Sequence, residues 1–217
     1  MVASFTALVA GASLDELITN VDFMRNCMSS TVSDARHRPG FKQCLSDTGD
    51  FLLPIFSLPK ALDPFITLFL HGLLNGSQGI REASADGLSD VLAATDSGSL
   101  KPYLIKTTGP LIRVLGDRFP SDVKSAILRT LSILLEKGGA GLKAFAPQLQ
   151  TTFVKSLSDP SKQVRSRAVR ALGQVMVRQC LFYMYIVPNM RTYSIYCVYV
   201  WYFTQCFTLT EYDVPSP

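Results

Sequence analysis

Apolar residues recur at helical spacing in three segments of the chain. In the segment 164–176 they follow one another at steps of three or four residues: Val164, Ala168, Leu172 and Val175. Polar and basic side chains fill the positions between them. Segments 80–92 and 123–135 have the same spacing. The pattern predicts three amphipathic helices, each with one face packed and the other open to solvent or a partner.

The three segments are copies of one repeat. They align without a gap at steps of 43 and 41 residues. Another apolar helix is predicted before each copy, over 63–74, 102–116 and 145–159, and a short turn joins the two helices of each pair. The turns are Asn75-Gly76-Ser77, Phe119-Pro120-Ser121 and Asp159-Pro160-Ser161. The predicted repeat core consists of Ile80, Leu88, Val91, Val123, Leu131, Leu134, Val164, Leu172 and Val175.

Helix pairs at this period predict an all-α fold, an α-solenoid of HEAT/armadillo-type helix pairs. An irregular helical bundle would not explain the shared register. We expect Ser121 and Ser161 to cap the second helices of their pairs, and Gly138-Gly139 to end the helix that begins near Ser121, before the next repeat starts. Because each pair buries its apolar stripe only against its neighbours, we expect a piece of a longer solenoid that offers surface rather than a chemical pocket.

The flanks differ from the repeats, so we divide the chain into 1–62, 63–178 and 179–217. The first part is expected to hold a helix over 14–29, with Ser13 and Glu16 as a capping box, and then a connector or a degenerate repeat. The last part contains seven of the eight tyrosines and the only tryptophan. A membrane helix over Tyr193–Thr210 is one interpretation. We favour a segment foreign to the fold, such as a retained intron or gene-model error, because the change falls where the next helix pair should begin.

Basic residues are concentrated in the last repeat. Residues 137–180 hold eight Lys and Arg side chains and a single acid, Asp159. This excess predicts a contact with RNA phosphates or an acidic protein, against the alternative of a solvated helix face. The candidate contact residues are Lys155, Lys162, Arg165, Arg167 and Arg170.

The chain shows no pattern of catalytic or metal-binding residues. His37 lies in a polar stretch and His71 in an apolar helix, where lone histidines are more often solvated or structural. Cys27, His37 and Cys44 do not match the spacing of a zinc site. The five cysteines are odd in number and without CxxC spacing, which favours reduced intracellular thiols. We therefore predict a non-enzymatic protein without metal or cofactor.

Two other polar groupings are interpreted as structural. Gly72, Gly76 and Gly79 form neither a dinucleotide-binding nor a Walker motif, and helix termination explains them better. Glu82, Asp86 and Asp90 recur at steps of four, which aligns them along one helix face, where we expect them to be solvated.

The run from Gly109 to Gly173, GPLIRVLGDRFPSDVKSAILRTLSILLEKGGAGLKAFAPQLQTTFVKSLSDPSKQVRSRAVRALG, closely resembles a known HEAT-repeat array. The array belongs to the later part of the large ribosome-associated activator of the general-control kinase, which phosphorylates initiation factor 2 alpha. Residues 58–91 resemble the preceding repeat of the same family, and the aromatic tail departs from it. The chain is thus expected to be a fragment or truncated product of such an activator, from a plant-like source.

The resemblance implies a cytosolic, non-catalytic scaffold that passes the signal of amino-acid starvation to the kinase. Its implied partners are the ribosome and a protein kinase of the stress response, with no small-molecule substrate and no membrane. Other classes that remain open are a generic TOG-like or transport-receptor-like HEAT module, and a small protein anchored in a membrane through its tail.

Overall fold

The computed structural model describes residues 2–36, 52, 56, 58, 60–116 and 119–186, and all regular structure in these ranges is helical. Two compact units divide the chain, residues 1–144 and 145–217, and each is described by itself. His37 and Cys44, which we weighed as zinc ligands and rejected, and Tyr193–Thr210, the less favoured membrane segment, lie outside the described residues.

The first unit is built from α-helices with short 3₁₀ segments. Its α-helices are α1 (Val2–Gly11), α2 (Leu14–Ile18), α3 (Val21–Arg36), α4 (Asp63–Asn75), α5 (Gln78–Ala93), α6 (Ser97–Leu100), α7 (Leu104–Gly116) and α8 (Ser121–Gly138). The 3₁₀ segments are Lys101–Tyr103, before α7, and Gly139–Phe145, which follows α8 and reaches the first residue of the second unit. The second unit contains α9 (Ala146–Ser156) and α10 (Lys162–Ile186).

The three helix pairs of the repeats are present as predicted. They are α4 with α5, α7 with α8, and α9 with α10, and the predicted turns separate the members of each pair. We call α5, α8 and α10 the second helices. α10 does not end at Arg178 but continues to Ile186, so the change in composition after Arg178 is not a helix boundary.

The N-terminal flank belongs to the same compact unit as the first two pairs. Phe5 of α1 stacks on Phe65 of α4 with ring centroids 4.3 Å apart, and Phe56 meets Phe65 edge-on at 5.4 Å. All three rings are buried. Stacked and edge-on aromatic pairs of this kind add to the stability gained from burial alone. These contacts hold α1 and the Phe56 side chain against α4.

The predicted single helix over 14–29 is wrong, because the chain turns between α2 and α3 at Thr19 and Asn20. The capping box is also absent. Ser13 precedes α2, yet its side chain makes no capping hydrogen bond. The backbone N–H of Glu16 instead donates to the Ser13 carbonyl at 3.1 Å. Thr19 Oγ1 donates to the Glu16 carbonyl at 2.6 Å and closes this short helix at its other end.

The core of the first unit centres on α5, which packs against α4, α3 and α8. Leu88, Val91, Val123, Leu131 and Leu134, five of the predicted core residues, are buried. Ile80 was expected in the core but is only half-buried. It lies in the first turn of α5, where its side chain packs over Gly76 in the α4–α5 turn rather than into the helix interface.

Small residues let these helices approach closely. A Cβ atom on Gly87 of α5 would lie 2.5 Å from Cε1 of Phe69 on α4, and one on Gly72 would lie 2.3 Å from Oγ of Ser84. On the other interface of α5, Thr130 Oγ1 of α8 donates to the carbonyl of Ala85 at 2.9 Å. Glycine is therefore required at 72 and 87 by the close packing of neighbouring helices.

The core of the second unit differs from its prediction at one position. Val164, Ala168, Ala171 and Val175 of α10 are buried, together with Leu149 and Phe153 of α9. Leu172 is only half-buried. Steps of four, three and four residues keep a stripe on one line of an α-helix, so Ala171 takes the place that we assigned to Leu172. In the described part of the second unit, no further helix pair follows α10 to cover Leu172.

The ends of the second helices follow the predicted signals in part. Gly139, with φ of 52°, ends α8 as expected, because glycine adopts this left-handed conformation without steric cost. Ser121 is not a cap: α8 begins at Ser121 itself, and Pro120 occupies the cap position. Ser161 directly precedes α10, and its carbonyl accepts the N–H of Arg165 at 3.1 Å.

Candidate interaction surfaces on the second helices

One position near the start of the second helices carries a basic residue in every repeat. The residues are Arg81, Lys124 and Arg165, which align in the repeat register. Nη1 of Arg165 donates to the carbonyls of Asp159 and Pro160 at 2.9 and 2.8 Å. Arg81 donates in the same way to the carbonyl of Leu73 at the end of α4. These guanidinium groups satisfy carbonyls that the helix ends and turns leave open.

This geometry changes our interpretation of Arg165. The sequence placed it among the contacts to a partner, whereas its guanidinium is used to fix the turn between α9 and α10. Arg81 also makes a cation–π contact within the protein, since its guanidinium carbon lies 4.6 Å from the centroid of the Phe119 ring. The shared register was the signal that could have identified this role from the sequence.

Three of the predicted contact residues are exposed in the second unit. They are Lys155, Lys162 and Arg170, which we call the basic patch. Arg167 is half-buried. Lys155 lies in the last turn of α9 and Lys162 is the first residue of α10, so both flank the turn that Arg165 stabilises. Oδ1 of Asp159 in that turn accepts the backbone N–H of Ser161 at 3.0 Å.

An ion-pair network crosses the second helices of the first unit. Asp86 and Asp90 of α5 each pair with Arg25 of α3, at 3.3 and 3.2 Å, and with Arg129 of α8, at 3.4 and 3.1 Å. Their side chains are about a fifth to a quarter exposed. The two carboxylates are therefore not solvated on an outer face as we expected, but hold three helices together.

Sequence reasoning missed this network because Arg25 is 65 residues from Asp90 and lies outside the repeats that we aligned. One signal was present in the sequence: Asp86 and Arg129 occupy the same register position in successive repeats, 43 residues apart. Opposite charges at one register position bring carboxylate and guanidinium together when the second helices pack side by side.

The acidic groups near the start of α5 crowd one another. The pKa of Glu82 is raised above its ordinary value of 4.5. Burial of the carboxyl is the largest cause, followed by the charges of Asp122 and Asp86, and Arg25 opposes the shift. Carboxylates from several helices thus face a common region at this end of the ion-pair network.

His71 has a structural role. Its Nε2 lies 2.7 Å from Oδ1 of Asp15 on α2, and its Nδ1 lies 3.1 Å from Nδ2 of Asn75. Since Nδ2 of Asn75 can only donate, Nδ1 of His71 accepts this hydrogen bond and Nε2 donates one to the Asp15 carboxylate. This arrangement connects α2 to α4.

The described residues offer no metal centre. No group of three or more His, Cys, Asp and Glu side chains among them could hold a metal ion. Cys27, one member of the set that we weighed as a zinc site, is an exposed thiol on α3. Among the helices that the structure describes, none has both the length and the apolar character needed to cross a bilayer.

Comparison with known proteins finds relatives of this chain. A model of the HEAT-like repeat matches residues 121–175. The chain is 51% identical over 127 residues to Protein ILITYHIA of Arabidopsis thaliana and 47% identical over 124 residues to the eIF-2-alpha kinase activator GCN1 of Dictyostelium discoideum. It is 46% identical over 125 residues to the stalled ribosome sensor GCN1 of Homo sapiens. Over more than half of its length, this chain is similar to a segment of the GCN1 proteins.

The GCN1 relationship confirms the resemblance inferred from residues 109–173, and the HEAT-like model confirms the predicted fold class. Each match covers 57 or 58% of this chain and only 5% of the relative, so the chain spans about one-twentieth of the length of the relatives it matches. No solved structure matches the chain.

Proposed function

We propose that this chain is a non-catalytic HEAT-repeat scaffold of the GCN1 type that works in translational control. Its proposed partners are the ribosome and, through the complete array, a protein kinase that acts on initiation factor 2 alpha. The proposed location is the cytosol, where translating ribosomes are found. The observation that carries the proposal is the identity of 46–48% to relatives named as kinase activator and stalled ribosome sensor.

Features of the described residues support a scaffold. The polar groups that stand out are used to hold helices together: Asp86 and Asp90 pair between helices, and Arg165 binds its own turn. The exposed surface of the repeats is helical and carries charged side chains. An array of this kind binds partners over extended surfaces rather than in a pocket.

The basic patch is the proposed ribosome contact. Lys155, Lys162 and Arg170 are exposed, while Arg165 and Arg167 stand beside them in the sequence and are half-buried. We therefore assign the partner contact to the three exposed side chains and give Arg165 a supporting role. The two further functions that the sequence left open, a tubulin- or transport-type module and a membrane-anchored protein, have no observation in their favour among the described residues.

Cosedimentation of the full chain with purified ribosomes tests the proposal. The wild type is compared across a salt series with a variant carrying Lys155→Glu, Lys162→Glu and Arg170→Glu. We expect the wild type to pellet with ribosomes at low salt and to be released as salt rises. The triple variant is expected to remain in the supernatant, because its patch repels the phosphates and acidic groups of the ribosome.

A control variant with the same change in charge comes from the first unit. Lys101, Lys106 and Arg113 are exposed on or beside α7, and reversing all three alters the net charge equally. This variant should pellet like the wild type if the basic patch makes the contact. A folded wild-type chain that never pellets with ribosomes would contradict the proposed function.

A further inference from the structure

We propose that the basic patch of Lys155, Lys162 and Arg170 binds RNA through its phosphate groups. The inference rests on the proposed function, since the ribosome would supply the RNA, but it specifies the chemistry of the contact. The alternative occupant of a basic surface is an acidic protein, and the experiment below separates the two.

The charge of the second unit favours a polyanion. Residues 145–186 contain six Lys and Arg side chains and one acid, Asp159. The carboxylate of Asp159 accepts the backbone N–H of Ser161, which is part of the α9–α10 turn. The segment therefore has five more basic than acidic side chains. Three of the basic side chains, Lys155, Lys162 and Arg170, are exposed and can attract a negatively charged ligand.

The placement of the patch suits a chain of phosphates. Lys162 and Arg170 are eight residues apart on α10, which corresponds to about 12 Å along the helix axis. Lys155 lies across the turn, near the same end of the unit as Lys162. Double-stranded DNA carries one negative charge for about every 1.7 Å of its axis, and an RNA duplex likewise has two phosphates per base pair, so this span meets several phosphates at once.

The composition of the surface argues against a protein partner. Apolar and aromatic side chains, especially Tyr and Trp, dominate the centres of protein interfaces. Around the patch the exposed side chains are mainly polar, including Ser158 and Gln163, and Phe153 of α9 is fully buried. The large apolar side chains exposed in the described part of the second unit are Val154 of α9 and Val177 of α10, and neither is aromatic.

The same composition indicates paired rather than single-stranded RNA. Proteins that hold single strands stack bases on exposed aromatic side chains. Among residues 145–177 of the second unit, no aromatic side chain is exposed. Contacts from Lys and Arg to phosphates give affinity without reading the bases. We therefore expect binding that depends on salt and hardly on sequence.

The test is a fluorescence titration of a labelled 20-base-pair RNA duplex with the full chain, between 50 and 200 mM salt. We expect a Kd of about 1 to 100 µM at physiological salt and a slope of log K against log salt of about −2 to −3, as three phosphate contacts predict. Replacing Lys162 or Arg170 by Ala should reduce the slope by about one unit each. The matched controls are Lys101→Ala and Lys106→Ala, which should leave the slope unchanged. Circular dichroism verifies that every variant is folded.

The outcomes distinguish RNA from an acidic protein as the ligand of the basic patch. A folded wild type that pellets with ribosomes but fails to bind either this duplex or a second duplex of different sequence would overturn the RNA inference and leave an acidic ribosomal protein as partner. A loss of binding equal in the patch and control variants would also overturn it, because only overall charge would then matter. Failure of ribosome cosedimentation together with intact RNA binding would instead reject the proposed function and keep this inference.

Discussion

At the scale of single residues, substitution of Gly87 tests the packing of α5 against α4. A Cβ atom there would lie 2.5 and 2.7 Å from two atoms of the Phe69 ring, which is fully buried. The ring cannot yield without displacing its neighbours in a close-packed interior. We expect Gly87→Ala to lower the free energy of unfolding by about 1–3 kcal/mol, measured by urea denaturation.

Gly79 on the same helix is the matched control. A Cβ atom on Gly79 would meet nothing within 4 Å. Alanine also favours the helix by up to about 1 kcal/mol over glycine, so Gly79→Ala should be neutral or slightly stabilising. Equal losses from both substitutions would show that α4 and α5 do not approach each other as described.

Single residues also show how far the sequence could predict the candidate site. Lys155, Lys162 and Arg170 are exposed, and this follows from their positions away from the apolar stripe. The same reasoning treated Arg165 as another surface charge. Net charge and helical spacing contain no information on hydrogen bonds to turn carbonyls, which depend on where the preceding helix ends.

At the scale of elements, the ion pairs of the first unit link α5 to α3 and α8. Asp86 and Asp90 are held by Arg25 and Arg129, and Glu82 lies one turn before Asp86. The pKa of Glu82 is raised above 4.5, so the native state holds this proton more tightly than the unfolded chain does. Its ionisation therefore reduces stability as pH rises above 4.5 through the native pKa.

We accordingly expect Glu82→Gln to gain stability relative to the wild type between pH 4 and pH 7. The gain should stay below about 0.5 kcal/mol, since solvent screens a partly exposed carboxylate. Urea denaturation at pH 4, 5.5 and 7 measures it. Glu16→Gln, at an exposed position of α2, removes the same charge and serves as control. An advantage of Glu82→Gln that is largest at pH 4 would contradict the crowding of carboxylates near α5.

The elements themselves were the most predictable level. The three helix pairs and their turns follow from apolar spacing and from Gly, Pro and Asn positions, which act locally. The break between α2 and α3 and the ion pairs from Arg25 were not predictable in this way. Both depend on packing against α4 and α5, which are distant in the sequence.

At the scale of the whole molecule, we expect the stability of each helix to depend mainly on the helices that pack against it. In repeat arrays each unit is stabilised by its own contacts and by the next unit along the chain. Leu88 is fully buried on α5, which packs against α4, α3 and α8. Leu88→Ala should cost about 2–5 kcal/mol by leaving a cavity. We expect the loss to appear as faster amide hydrogen exchange in α4, α5 and α8, with α9 and α10 changed much less.

The reverse experiment uses Val164, which is fully buried on α10 in the second unit. Val164→Ala should accelerate exchange in α9 and α10 with little effect on α4 and α5, and the effect should be smaller than that of Leu88→Ala because fewer atoms are removed. Uniform acceleration along the chain in both variants would mean that the two units unfold as one. Local responses would instead show that the two units open separately. A partner bound at the basic patch would then be expected to stabilise α9 and α10 first, because ligand binding protects the part of the native structure that forms its site.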